Sequence, residues 1–212
     1  MDFKRARTNA QVEERRREIL QACADIYDQG DVDDVHFKAI GEKTSFARST
    51  IYKYYSTKEE ILLDLLLIDV MNWIYDVREF TDSHESLSKE AFCKTFAQTY
   101  VENERLLRLM SILYSVLEKN CSLEKLTEFK RNLMGFMTPI YECVKKFFPS
   151  ASDESIQAFI STSSNYVLGL YPSTHMSPKQ KKAIELSGYD YEISDFASAC
   201  CQGFMIIASV LD

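Results

Sequence analysis

Apolar residues recur along the chain at the three-to-four-residue spacing of amphipathic α-helices, and the alternation typical of strands is almost absent. In the N-terminal part the pattern pauses at Gln29-Gly30, and the capping pair Thr57 and Glu60 precedes its longest run. It predicts four helices there, at about 12–28, 37–43, 47–53 and 58–80. The middle two leave room for only a turn between them.

The remainder of the chain continues the helical pattern. A small helix is expected to begin at Ser177-Pro178 and to end at Gly188, because proline suits a first helical turn and glycine suits a helix end. Tyr171-Pro172 is expected to end the preceding helix. The other helices are predicted at about 89–103, 105–119, 123–147, 153–170 and 194–211. The pattern therefore predicts an all-α protein.

Composition supports a folded protein and offers no metal or cofactor site. The 212 residues are 46% hydrophobic and 12% aromatic, which is ample for a core and argues against disorder. The six cysteines form no CxxC pair and the three histidines are isolated, so the spacing of a metal site is missing. The cysteines are expected to be small core residues in a reducing cytosol.

The sequence predicts neither a secretion signal nor a membrane span. It begins with Lys4, Arg5 and Arg7 instead of an apolar segment. Its most apolar run, 61–80, carries several acidic residues, which suits a buried helix better than a lipid-facing one. A cytoplasmic protein without a membrane partner is predicted.

Charge is distributed unevenly along the chain. The formal net charge is −7. Residues 61–212 carry −6, whereas residues 36–58 carry +4, with Glu42 as their only acidic residue. A basic patch on an acidic body suits a protein that touches nucleic acid with one end only.

Two short helices joined by a turn, with a helix before them, form the helix-turn-helix arrangement. The second short helix would offer Arg48, Ser49 and Thr50 to the major groove, and Tyr52 and Lys53 would lie near flanking phosphates. The inward residues of this small core are predicted to be Phe37, Ile40, Phe46, Ile51 and Tyr55. The run 15–17 of three arginines either touches phosphate or balances the neighbouring glutamates.

The stretch 36–61, HFKAIGEKTSFARSTIYKYYSTKEEI, resembles the signature of the TetR (tetracycline repressor-like) family. The matching residues are Ile40, Thr50, Ile51, Tyr52, Tyr54, Tyr55, Lys58, Glu59 and Ile61. With the helix from Val12 the resemblance covers about fifty residues. It implies a three-helix DNA-binding domain over 1–58 and a larger helical domain over 59–212 that binds an effector and dimerises.

The resemblance also implies roles for individual residues at the DNA. Those implied to bind DNA are Arg48, Ser49, Thr50, Tyr52, Lys53, Tyr54, Lys58 and His36. Two positions depart from the family pattern: Ser45 replaces the turn glycine, and His36 replaces the capping threonine. At Ser45 either a left-handed turn would be strained or the turn differs slightly from that of the family. His36 is expected to be a poorer cap, with Asp34 capping one turn earlier instead.

The larger domain is rich in aromatic residues and methionines, which would either fill an ordinary core or line an effector pocket. The pocket candidates are Trp73, Phe96, Tyr100, Met110, Tyr114, Met137, Tyr141 and Tyr166. The last long helices combine small residues with an apolar stripe, and the family forms its two-fold interface from the corresponding pair. The predicted dimer residues are Phe196, Cys200, Phe204, Ile207 and Leu211.

These features favour a transcription regulator and disfavour an enzyme, because the sequence has no nucleophile elbow, phosphate-binding glycine loop or metal cluster. The leading hypothesis is a homodimeric repressor that a small-molecule effector releases from a palindromic double-stranded DNA operator. The alternative is a DNA-binding regulator whose C-terminal domain binds a protein partner or no ligand.

Overall fold

A computed structural model describes residues 9–188, 191 and 193–212; the basic residues Lys4, Arg5 and Arg7 lie outside this part of the chain. Eleven α-helices appear among the described residues: α1 Asn9–Gln29, α2 Phe37–Lys43, α3 Arg48–Ile51, α4 Lys58–Ser83, α5 Lys89–Val101, α6 Glu104–Ser111, α7 Leu123–Gly135, α8 Met137–Phe147, α9 Asp153–Thr174, α10 Pro178–Ser187 and α11 Phe196–Ile207. A π-helical turn, Leu113–Leu117, and two 3₁₀ turns, Glu118–Asn120 and Ala208–Leu211, complete the set. The described chain contains no strand, and the predicted all-α class is confirmed.

The chain forms two compact units, which divide inside α4 instead of at its beginning. The first unit takes residues up to Ile68 and the segment Ile112–Leu133, and the second takes Asp69–Ser111 and Met134–Asp212. The predicted boundary at residue 58 marks the start of α4. Segment 112–133, which was predicted to belong to the larger domain, groups with the first unit.

The first unit has a small core beneath its two short helices. Every residue predicted for this core is buried, so that prediction is confirmed: Phe37, Ile40, Phe46, Ile51 and Tyr55. Helix α1 contributes Ile19, Cys23 and Tyr27 from behind. The core fixes α3 against α2, because Ile51 and Ile40 are both completely buried.

The second unit is built around packed aromatic rings from α5, α9 and α11. Phe96 lies in the middle, with ring centroids 5.5 Å from Phe92, 6.0 Å from Phe159 and 5.4 Å from Phe204. Burying a phenylalanine side chain contributes about 1.5–3 kcal/mol, so this cluster is a main source of stability for the unit.

Beyond α5, three predicted helices have boundaries different from those expected. Helix α9 continues through Pro172 to Thr174, because a proline in the last turn removes only one backbone donor. The helix predicted at 123–147 divides at Phe136, and the one predicted at 105–119 becomes π-helical after Ile112. The small helix α10 was predicted correctly: Ser177 and Gln180 form a capping box, and Gly188 ends it at a φ of 70°.

Hydropathy along the described helices does not suggest membrane insertion. Within the part of the chain that the structure describes, every helix is too short or too polar to cross a bilayer.

Candidate nucleic-acid interface

Helix α3 presents a short polar surface from a buried anchor. Arg48 and Ser49 are exposed, Thr50 is half-buried and Ile51 is completely buried. The α-helix ends at Ile51, earlier than predicted, and the chain continues as turns closed by bonds from the Lys53 N–H to the Thr50 carbonyl and from the Tyr54 N–H to the Ile51 carbonyl. The first turn of α3 is therefore held rigidly while its polar side chains face outward.

Arg48 is oriented by an aromatic neighbour. Its guanidinium donates to the Tyr52 hydroxyl at 2.7 Å and lies 5.5 Å from the centroid of that ring. The Tyr52 ring in turn meets Phe37 edge to face at 4.5 Å, although 52% of the Tyr52 side chain remains exposed. Phe37 thus steadies Tyr52, and Tyr52 steadies the exposed cation.

His36 caps α2 directly, so the expectation of a poor cap was wrong. Its Nδ1 accepts a hydrogen bond from the Ala39 N–H at 3.0 Å, in the way a threonine hydroxyl would. Asp34 does not cap α2; its carboxylate accepts from the Asp31 N–H at 2.8 Å within the preceding loop. The side chain of His36 is exposed.

The turn between α2 and α3 is closed by a carboxylate from α1. Glu18 accepts hydrogen bonds from the Ser45 N–H and, at 3.0 Å, from the Ser45 hydroxyl. No described residue other than glycine has a positive φ, so Ser45 is not left-handed, which agrees with the alternative that the turn differs from that of the family. Glu18 was not among the predicted residues, because a contact across 27 residues leaves no local signal in the sequence.

Gly41 is a second residue of this site that was not predicted. A Cβ atom at this position would lie 3.3 Å from the Cβ of Arg48 and 3.4 Å from its Cα. The glycine therefore lets α2 approach the start of α3 closely. A glycine inside a seven-residue helix was the available signal, because it weakens a helix unless packing requires it.

The other predicted DNA residues lie at different depths. Lys53 is exposed and Tyr54 is half-buried. Lys58, at the first turn of α4, donates its ammonium to the Val32 carbonyl at 2.6 Å and so also ties down the loop after α1. In the arginine run, Arg17 pairs with Glu14 at 2.7 Å, which fits the charge-balancing alternative for that residue.

The structure brings together three of the eight predicted effector residues. Trp73, Phe96 and Tyr100 are buried in mutual contact, with the Trp73 and Tyr100 rings 4.7 Å apart. The indole N–H of Trp73 donates to the Thr99 hydroxyl at 2.9 Å. These rings fill space with one another.

The other five candidates are dispersed. Tyr114 is 57% exposed and belongs to the first unit, while Met110 and Met137 are half-buried. Tyr141 is half-buried and donates to Asp153 at 2.6 Å. Its hydrogen bond to that carboxylate raises the pKa of the Tyr141 phenol. Only Tyr166 lines the groove described next.

A groove of about 460 Å³ runs between α9 and α11. Tyr166 lies along it and donates to the Ala199 carbonyl at 2.9 Å. Its ring occupies the position of the missing side chain of Gly203, because a Cβ there would come within 2.2 Å of the ring. Ile206, which is 75% exposed, forms part of the same groove.

Residues 69–209 match the family model described as "Tetracyclin repressor-like, C-terminal domain", which covers well over half of the chain. The chain belongs to the TetR family. Members of the TetR family are DNA-binding transcription regulators and not enzymes, so both predictions are confirmed at this level. TetR-family regulators also dimerise and bind small-molecule ligands.

Solved structures agree on the fold. A proposed TetR-family transcriptional regulator from Mesorhizobium loti is 14% identical, with a TM-score of 0.55 over 96% of this chain and 98% of that one. The regulator FadR from Bacillus subtilis, in complex with stearoyl-CoA, is 14% identical, with a TM-score of 0.52 over 91% and 97%. The fatty acid degradation regulator FadR from Bacillus halodurans is also 14% identical, with a TM-score of 0.53 over 89% and 97%. No curated protein sequence matches the chain.

The stripe predicted to face a partner in this TetR-family chain faces the core of its own second unit. Phe196, Cys200, Phe204 and Leu211 are buried, and Ile207 is half-buried. The Phe204 ring lies 5.9 Å from Tyr100 and 6.3 Å from Phe159. These residues were predicted to form the dimer interface, whereas in this structure they pack within the protomer. The exposed face of α11 carries Gln202 and Ile206 instead.

Proposed function

We propose that this TetR-family regulator is a repressor that binds a palindromic operator as a homodimer and is released from it by a small molecule. The observation that carries DNA recognition is the exposed Arg48, held by Tyr52 and Phe37 on a buried anchor. A fixed guanidinium can donate two hydrogen bonds to a guanine edge in the major groove. A pre-oriented side chain also loses less conformational entropy on binding than a mobile one.

Around Arg48 the other polar residues would supply a footprint on the duplex. Ser49 and Thr50 lie beside it on α3 and would reach neighbouring base edges. Lys53, Tyr54 and Lys58 would contact flanking phosphates. His36 uses Nδ1 for its cap, which leaves Nε2 as the ring donor that would face a phosphate.

The homodimer would form through the exposed faces of α9 and α11. Ile206 and Gln202 project from α11, and α9 exposes the small residues Ser161, Thr162 and Gly169. Small side chains allow helices to approach closely, and Ile206 supplies an apolar contact. A two-fold pair would present two copies of α3 to half-sites about one turn of DNA apart.

Release by an effector would be a shift between two conformations. The FadR complex with stearoyl-CoA indicates that a helical body of this fold can hold a ligand. In this chain Trp73, Phe96 and Tyr100 contact one another directly. A ligand among them would have to separate these rings, and it could shift the equilibrium only by its difference in affinity for the two states.

The same packing favours a second candidate function. If the aromatic cluster stays closed, the body serves as a dimerisation scaffold or binds a protein partner, and no small molecule controls the regulator. The 4.7 Å contact between Trp73 and Tyr100 is the observation that favours this alternative.

Selection of bound fragments from genomic DNA tests the proposal. We expect enrichment of a two-fold symmetric sequence with half-sites about 10 base pairs apart or a multiple of that. Compounds are then screened for release of the enriched fragment, with tryptophan fluorescence of Trp73 reporting whether the cluster opens. Enrichment without release by any compound would favour the second candidate, and no enrichment would contradict operator binding.

A further inference from the structure

Segment 112–133 carries two polar contacts to α4 that neither DNA contact nor effector binding explains. We propose that this segment positions the recognition helix α3 for operator binding, through Lys125, Asp64 and Tyr55. The inference rests on the proposed operator binding and adds a control element to it. Lys125, Asp64 and Ser122 would act without touching DNA.

The first contact is a nearly buried ion pair that reaches the end of the α3 region. Lys125 on α7 pairs with Asp64 on α4 at 2.5 Å, and only 14% and 17% of the two side chains is exposed. The other oxygen of Asp64 accepts from the Tyr55 hydroxyl at 2.8 Å. The Lys125 ammonium also lies 6.0 Å from the centroid of the Tyr55 ring. The three groups form one contact chain from α7 to the residue that follows α3.

Tyr55 remains a donor in this chain at any physiological pH. Burial, followed by the neighbouring Asp64 carboxylate, raises the pKa of the Tyr55 phenol far above its usual range. Tyr55 is 3% exposed and lies four residues after Ile51, and its N–H donates to the Ile51 carbonyl at 3.1 Å. A shift of Asp64 would therefore move the backbone that fixes the end of α3.

The second contact holds the start of α7 to the start of α4. The Glu60 carboxylate is 5% exposed and accepts from the Ser122 hydroxyl at 2.7 Å and from the Ser56 N–H at 2.8 Å. Ser122 also accepts from the Lys125 N–H at 3.3 Å, so one hydroxyl caps α7 and binds Glu60. Ser122 thereby fixes the helix turn from which Lys125 projects.

Breaking these contacts would cost free energy, and for that reason they can hold α3 in one position. A buried charge that loses its partner keeps its full desolvation penalty, whereas an exposed pair contributes little. The segment contains a second lysine–carboxylate pair, Lys130 with Glu118, in which 43% of the lysine and 17% of the glutamate side chain is exposed, so its ammonium is more accessible to water than that of Lys125. That pair contacts neither Tyr55 nor Asp64 in the described structure, so it serves as the control.

The test measures the affinity for the selected operator and its salt dependence in Lys125→Met, Lys125→Arg, Tyr55→Phe and the double variant Lys125→Met/Tyr55→Phe, with Lys130→Met as control. We expect Lys125→Met to weaken operator binding about tenfold with an unchanged salt slope. A lysine that contacted phosphate would instead lower the slope by about one. Lys125→Arg should restore binding, and the double variant should lose less than the product of the single losses.

Three results would each overturn the inference. Lys125→Met could bind the operator as tightly as Lys130→Met, or it could show a reduced salt slope. The loss of affinity in the double variant could also equal the product of the losses in the two single variants. If Lys125→Met fails to fold, Tyr55→Phe still tests the inference, because it removes only the hydroxyl that donates a hydrogen bond to Asp64. If the wild-type protein shows no preference for an operator over other DNA, the proposed operator binding itself is wrong. That failure is seen without any of the variants.

Discussion

Most of the residues predicted to have a function are exposed in the first unit and buried in the second. In the DNA-binding unit the polar residues predicted to act, Arg48 and Ser49 among them, are exposed above a small buried core. In the second unit the aromatic and apolar residues predicted to act, such as Trp73 and Phe204, are the core itself. A sequence motif identifies a surface when its residues are polar, but an aromatic residue at helical spacing indicates burial without saying against what.

The largest expected effect is on the stability of the second unit. Phe204→Ala should lower the free energy of unfolding by about 3–5 kcal/mol, because it removes a fully buried ring that contacts Phe96 and Phe159. Leu186→Ala, at a position 75% exposed, should change it by less than about 0.5 kcal/mol. Urea unfolding followed by circular dichroism compares the two. Equal stabilities would mean that Phe204 faces outward, as a dimer contact would.

A smaller effect should separate the two faces of α11. Ile206→Glu places a charge on the proposed two-fold interface and should give a folded monomer in sedimentation velocity, with weakened operator binding. Ser198→Glu, on the exposed start of the same helix, is the control for added charge. A dimer that survives Ile206→Glu would place the interface away from this groove.

The smallest effect should appear in how the stability of the DNA-binding unit depends on pH. Burial alone would raise the pKa of Glu60, but hydrogen bonds from Ser56 and Ser122 and the charge of Lys125 outweigh it and hold that pKa below its usual range. A lowered pKa in the folded state adds stability above about pH 4.3, and this stability is lost as the pH falls through the folded value.

Glu60→Gln should therefore be less stable than the wild type by a constant amount near neutral pH, and the gap should narrow in acid. Glu124→Gln, at an exposed position on α7, provides the comparison. Chemical unfolding at a series of pH values measures the gap for both variants. A gap that stays constant below about pH 4 would contradict the hydrogen-bonded carboxylate at Glu60.

Whether a feature could be predicted from the sequence depends on how far apart along the chain the interacting residues lie. The limits of α10, from Pro178 to the residue before Gly188, and the burial of Tyr55 follow from local sequence patterns, and both were predicted. The hydrogen bond from Ser45 to Glu18 and the ion pair of Lys125 with Asp64 join segments that are distant in the sequence. No local sequence pattern predicts either contact. For the stripe through Phe204, periodicity gave the packing face but could not choose between the protomer and a partner.

Operator recognition is proposed to depend on Arg48, which would contact base edges from the helix-turn-helix. The most direct test is to titrate the selected operator and random DNA with wild type, Arg48→Ala and Lys43→Ala, in which Lys43 is an exposed cation at the end of α2. We predict that Arg48→Ala loses about 1–3 kcal/mol at the operator and much less on random DNA. Lys43→Ala should weaken both about equally. Equal losses on the two DNAs for Arg48→Ala would contradict base reading by Arg48 and, with it, the proposed basis of operator recognition.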